Sequence, residues 1–81
     1  MGTTWRAPAI LRSMREVTIR GEDIRLGQLL KLAGIADSGG DAKALLAAGE
    51  VSVNGEPEER RGRRLTRGDV VSAAGEDVRL S

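Results

Sequence analysis

The chain has 81 residues, and its 13 Lys and Arg stand against 12 Asp and Glu for a formal charge of +1. With no cysteine and no histidine it can form neither a disulfide nor a thiolate or imidazole metal site, and it lacks the commonest general base, so catalysis is not expected. Hydrophobic residues at 40% and charged residues at 31% describe one small folded domain with a modest aliphatic core, and with Trp5 the only aromatic residue the chain cannot stack bases on a row of exposed rings.

Residues 1–14 mix arginine, proline and scattered apolar side chains. Arg6, Pro8 and Arg12 interrupt any apolar run that a signal peptide or membrane span would need, and Arg6 stands where a myristoylation signal wants a hydroxyl. The expectation is a flexible tail over residues 1–15 ahead of a single domain over 16–81, in a cytoplasmic protein without membrane contact. Residues 16–20, EVTIR, alternate polar and apolar positions with β-branched Val17 and Ile19 on one side, which predicts a strand. Gly21, Glu22 and Asp23 read as a turn, and Ile24 as an isolated apolar anchor.

Leu26, Leu29, Leu30 and Ala33 recur at the spacing of one helical face, and Gly34 stands where the helix must end in a left-handed residue. Ile35 is placed to pack back on the last turn. Ser38 then offers an N-cap for a second helix, with Asp41 three residues on as an acidic variant of the capping box. Ala42, Leu45, Leu46 and Gly49 repeat the helical spacing, and Gly49 doubles as the stop.

Val51-Ser52-Val53 alternates before Asn54-Gly55, the strongest short signal for a type I′ hairpin. Pro57 confines the returning strand to a short edge segment. After the arginine-rich residues 60–67, in which Leu65 is the apolar anchor, Gly68-Asp69 reads as a turn and Val70-Val71 as a strand. Residues 75–77 read as another turn and 78–80 as a last short strand. The layout is β-α-α-β-hairpin-loop-β-β, a two-layer α+β domain.

The charge is unevenly spread. Residues 60–67, RRGRRLTR, hold five arginines and no acid, whereas residues 68–81 hold Arg79 against Asp69, Glu76 and Asp77. Arg60, Arg61, Arg63 and Arg64 flank Gly62, and guanidinium groups bind phosphate bidentately and stack on bases. The other reading is a solvated loop whose arginines pair with Glu56, Glu58 and Glu59, and the sequence leaves both open. The Ser38-Gly39-Gly40-Asp41 entrance to the second helix could bind an anion, but Asp37 and Asp41 oppose a phosphate there, so an ordinary N-cap fits better. Lys31 and Lys43 on the polar sides of their helices, with Arg25 just before the first, would join the loop in one basic face if the helices lie beside it. The carboxylates sit in turns and helix starts and form no acid–base pair.

Arg25-Leu26, the apolar helix that follows, Ala42-Lys43, Leu46, the run GEVSVNG at 49–55 and Gly68-Asp69-Val70-Val71 resemble the S4 RNA-binding domain. More closely, LGQLLKLAGIADSGGDAK and NGEPEERRGRRL resemble the small stand-alone S4-like proteins of bacteria, the YbcJ/YaaA type. The likeness covers residues 19–71 and extends weakly to 80. It implies the αL fold, two short helices packed on a small, mainly antiparallel sheet with a β-hairpin, binding RNA along the helical pair and the neighbouring loops. Carried over by position, Arg25, Lys43, Asn54 and Gly55 fall on that face, and Arg60, Arg61, Arg63 and Arg64 match the basic run. With Lys31 and Ser38 these are the expected RNA-binding residues.

Two positions depart from the common S4 pattern. Gly27 stands where many S4 domains have Asp, and Gly39 where many have Arg, which shifts the burden to Lys43 and the 60–67 loop. The expectation is a monomeric module, without cofactor or metal, that contacts structured RNA, ribosomal or transfer RNA foremost, through backbone and shape. The alternatives are a protein-interaction domain that docks an acidic partner in a ribonucleoprotein complex, and weak binding of duplex DNA. The second helix disfavours DNA, because its outer face offers Lys43 among small residues and no Asn, Gln or Arg series for base edges.

Overall fold

Alternating apolar residues build the main sheet. A computed structural model describes residues 13–81, with strands β1 (Ser13–Val17), β2 (Asp23–Arg25), β3 (Val51–Val53), β4 (Glu56–Pro57), β5 (Arg64–Thr66), β6 (Val70–Ala73) and β7 (Glu76–Leu80) and helices α1 (Leu26–Leu32) and α2 (Gly39–Ala47). Five strands pair in the order β1-β7-β6-β3-β4, and β2 and β5 form a separate two-stranded ribbon. The β1–β7 pair is parallel and the other pairs are antiparallel. Val53 pairs with Val71 and Val71 with Val78, so the central strands align their apolar positions. Val51, Val53, Val71, Ala73, Val78 and Leu80 are all buried, the period of two that one covered face requires.

The two helices supply the other half of the core. Leu26, Leu29, Leu30 and Ala33 bury the stripe of α1, and Ala42 and Leu46 bury the narrower face of α2, with Leu45 packed at its margin. Gly34 ends α1 at φ +77°, which lets the N–H groups of Ile35 and Ala36 both return to the Leu30 carbonyl at 3.0 Å. Asn54 and Gly55 take φ +52° and +87°, the two positive values that a type I′ hairpin needs.

Three boundaries differ from the pattern in the sequence. The first strand covers Ser13–Val17 instead of 16–20, because its partner runs out: Val17 faces Leu80, the last residue of β7. Ile19 is nevertheless buried, and its N–H bonds the Ser81 carbonyl at 2.9 Å. Of the tail expected over 1–15, residues 1–12 lie outside the described residues, and 13–15 belong to β1. Ile24 is not isolated but pairs with Leu65 across β2 and β5. The last turn falls at Ala74-Gly75, both at positive φ, so β7 begins at Glu76 rather than at 78.

Arg15 ties β1 to its surroundings by donating to the Ala33 carbonyl and pairing with Glu76 at 3.3 Å. No helix among the described residues is long and apolar enough to cross a membrane. Because Leu29 is fully buried and Leu32, on the same helix, is 56% exposed, Leu29→Ala is expected to cost about 2–5 kcal/mol in urea denaturation. Leu32→Ala is expected to stay within about 0.5 kcal/mol of the parent protein.

Candidate nucleic-acid interface

The arginine loop is folded around one carboxylate. Glu58 follows β4, and its N–H bonds the Val51 carbonyl at 3.0 Å, which anchors the residue to the sheet. Its buried side chain accepts from the backbone N–H groups of Glu59 and Arg60 at 3.1 and 3.0 Å. It also accepts from Arg60 Nε and Nη2 at 3.1 and 3.3 Å and from Arg63 Nη1 at 3.0 Å. The Arg60 side chain, then the Arg60 N–H, then Arg63 hold the Glu58 carboxyl down at about 2, against an ordinary value of 4.5. The same contacts raise the pKa of Arg60. Of the three acids that could have neutralised the loop, Glu58 does so, and it takes Arg60 and Arg63.

The outer half of the loop is laced to α1. Leu26 and Gly27 donate their backbone N–H groups to the carbonyls of Arg63 and Arg61 at 2.8 and 2.9 Å, and Arg25 Nη1 donates to the Gly62 carbonyl at 2.9 Å. Helix N-termini leave backbone donors without intrahelical partners, and here another segment of chain fills two of them. The approach is close: a Cβ on Gly27 would lie 2.5 Å from Arg61 Cγ and would force the Arg61 side chain to shift. The β2–β5 ribbon continues the same junction, with Arg25 opposite Arg64.

Two adjoining depressions result. One, of about 300 Å³, is lined by Arg25, Gly27, Gln28, Lys31, Gly39, Ala42, Arg61 and Gly62. The other, of about 660 Å³, is more open and lies between Arg25, Arg60, Gly62, Arg63 and Arg64. Among the described residues no carboxylate pairs with Arg25, Lys31, Lys43 or Arg61, while Arg60 and Arg63 pair with Glu58 and Arg64 pairs with Asp23 at 3.3 Å. Arg67 leaves the cluster, since its Nη2 donates to the Ile19 carbonyl at 3.2 Å.

Six of the ten expected binding residues, Arg25, Lys31, Arg60, Arg61, Arg63 and Arg64, thus meet around these depressions. Ser38 is occupied as the α2 cap and accepts the Asp41 N–H at 3.2 Å. The Asp41 carboxylate closes on the Asp37 N–H at 3.2 Å, one residue ahead of the cap, rather than on Ser38 as a capping box would. Asn54 uses its amide within the fold, donating to Asp69 Oδ1 at 3.1 Å and accepting the Val70 N–H at 2.9 Å, and Gly55 is its turn partner. Neither of these two lines a depression, nor does Lys43, although its helix contributes Gly39 and Ala42. Residue patterns did not point to Gln28 or to Ala42 as lining residues. Gly27 and Gly39 were visible as departures from the S4 pattern. Among the described residues no group of three or more acidic side chains could hold a metal ion.

Two short helices over a mainly antiparallel sheet, with a cationic loop bound to the first helix, define a small two-layer α+β domain. The chain belongs to the S4 domain family, whose model matches residues 17–81. It is 54% identical over 59 residues to the probable ribosome maturation protein RlbA of Bacillus subtilis, covering 73% of this chain and 83% of that protein. It is 40% identical over 57 residues to the putative RNA-binding protein YbcJ of Escherichia coli, covering 70% and 81%. Its fold matches the crystal structure of 30S ribosomal protein S4e from Thermoplasma acidophilum with a TM-score of 0.57 at 25% identity, over 74% of this chain and 32% of that one.

The depressed pKa gives a pH test of the Glu58 clamp. A carboxyl that titrates lower in the folded than in the unfolded state stabilises the fold fully above pH 4.5, and that contribution disappears as the pH falls toward about 2. Urea midpoints of the parent protein and Glu58→Gln should therefore differ most near pH 7 and converge across that window. A gap independent of pH would show that the clamp is not ionic.

Proposed function

We propose that this S4 domain binds structured RNA, ribosomal or transfer RNA, by its phosphate backbone and shape. The observation that carries the proposal is the grouping of Arg25, Lys31 and Arg61, none paired with a carboxylate among the described residues, on the surface where the arginine loop meets α1. Arg60 and Arg64 add to it. Their side chains remain 76% and 62% exposed despite their acidic partners, and ion pairs so exposed are weak enough for a phosphate to compete. The name of the Bacillus subtilis relative favours ribosomal over transfer RNA.

The role is binding rather than catalysis. The chain holds no histidine or cysteine, and two carboxylates at the loop are committed to ion pairs, Glu58 with Arg60 and Arg63 and Asp23 with Arg64. The protein would act as a cytoplasmic monomer with Lys43 as a peripheral phosphate contact. Ser38, Asn54 and Gly55 lie outside the two depressions, and Ser38 and Asn54 already bond within the fold.

Anisotropy titrations with a fluorescent ribosomal RNA fragment, at salt from 50 to about 300 mM, test this. Log affinity should fall linearly with log salt. Lys31→Ala with Arg61→Ala should lower affinity by about tenfold or more and reduce the slope by about 2, one for each lost phosphate contact. An unchanged slope would remove these residues from the interface.

A further inference from the structure

Phosphate contacts alone leave the chemistry of the 300 Å³ cleft unexplained. Its walls are of two kinds. Gly39 and Gly62 leave backbone accessible, and Gly27 and Ala42, both buried, line the cleft without charge. Arg25, Lys31 and Arg61 also line it, with no carboxylate among the described residues to neutralise them, and Gln28 stands with them. A surface that only gathers phosphates has no use for an uncharged recess, and an apolar partner has no use for three uncompensated cations. A nucleotide whose base has left the stack presents both chemistries at once, a flat, weakly hydrated base and an anionic phosphate.

The geometry of the walls fits such a ligand. The volume lies at the small end of ligand sites. Gly39 lines the cleft without a side chain, and a Cβ built on it meets nothing within 4 Å, so a larger residue fits there without a clash. The stem of Arg61 lies over Gly27, leaving a planar guanidinium for stacking or for phosphate. Gln28 is exposed, and its Oε1 holds a contact of 3.5 Å with the Arg25 N–H, so its amide group is available to a base edge. RNA offers unstacked bases at bulges and loops, where extrusion costs least.

We propose that this cleft receives a single unstacked nucleotide, so that the protein selects RNA carrying a bulged or looped-out base over continuous duplex. The inference rests on the RNA-binding function proposed above and adds the feature that the RNA must carry.

Two hairpins with the same stem, one of them with a single bulged 2-aminopurine, test it. The full chain should bind the bulged hairpin tighter by on the order of tenfold, the worth of one held base. The 2-aminopurine emission should rise on binding, because the base leaves its stacked neighbours for a cleft without aromatic side chains. In Gly39→Leu, checked for folding by circular dichroism, the ratio of the two affinities should fall toward one. The emission of the parent complex decides the matter even if that variant misfolds. Equal affinity of the parent protein for both hairpins, or unchanged emission in a saturated complex, would overturn the cleft assignment and leave RNA binding standing. No binding to either hairpin at low salt would overturn both.

Discussion

Everything on the candidate interface depends on how Glu58 is satisfied. A carboxylate drawn in from solvent needs partners for its lone pairs, and the chain supplies them from its own next residues, two backbone N–H groups and the guanidinium groups of Arg60 and Arg63. That requirement fixes the path of the loop. It also sorts the arginines, since Arg60 and Arg63 answer Glu58, and Arg61, between them, lies over Gly27 of α1. Five arginines in a flexible loop would give a stronger field and a less definite surface. The fold gives up part of the charge for a preorganised geometry, which lowers the ordering cost of any later contact.

The second constraint is the closure of the α1 N-terminus by loop carbonyls. A free helix start attracts anions through its unpaired N–H groups. Here Leu26 and Gly27 spend theirs on Arg63 and Arg61, so the attraction for phosphate at this junction passes to side chains. The same bonds join the loop, the β2–β5 ribbon and α1 into one unit, with Leu65 fully buried beneath it and paired to Ile24. Displacing the loop would therefore strain the core and not merely the surface.

The helices and hairpin were legible in the sequence because their signals are local. The 3.6-residue spacing of Leu26, Leu29, Leu30 and Ala33, the Gly34 stop, the Ser38 cap and the Asn54-Gly55 turn each need only a few neighbouring residues, and each stands where it was expected. Strand ends were less legible because a distant partner sets them. The alternation of Val17 and Ile19 describes burial, but pairing stops where β7 stops. Ala74 was hidden for another reason, since an alanine at positive φ carries no turn signal of its own. At the interface, charge counting found the arginines but could not choose among Glu56, Glu58 and Glu59. Family position pointed to Asn54, whose amide the fold has already used on Asp69 and Val70.

The two glycines that depart from the common S4 pattern show why side-chain inventories alone underestimate the surface. Where many S4 domains carry Asp and Arg, this chain has Gly27 and Gly39, so an acid and a base are lost together and the local charge balance is kept. What changes is volume. Without a side chain, Gly27 lets Arg61 lie against the helix where a Cβ would meet its Cγ at 2.5 Å, and Gly39 lines the same cleft without a side chain of its own. One glycine brings a wall inward and the other removes one, and neither effect is visible in charge or hydropathy. In a protein of net charge +1, long-range attraction to a polyanion is weak, so selectivity has to come from what the surface admits at contact. A recess walled by Arg61 against Gly27, and rimmed by three cations without a carboxylate partner among the described residues, meets that condition where a continuous basic face would not.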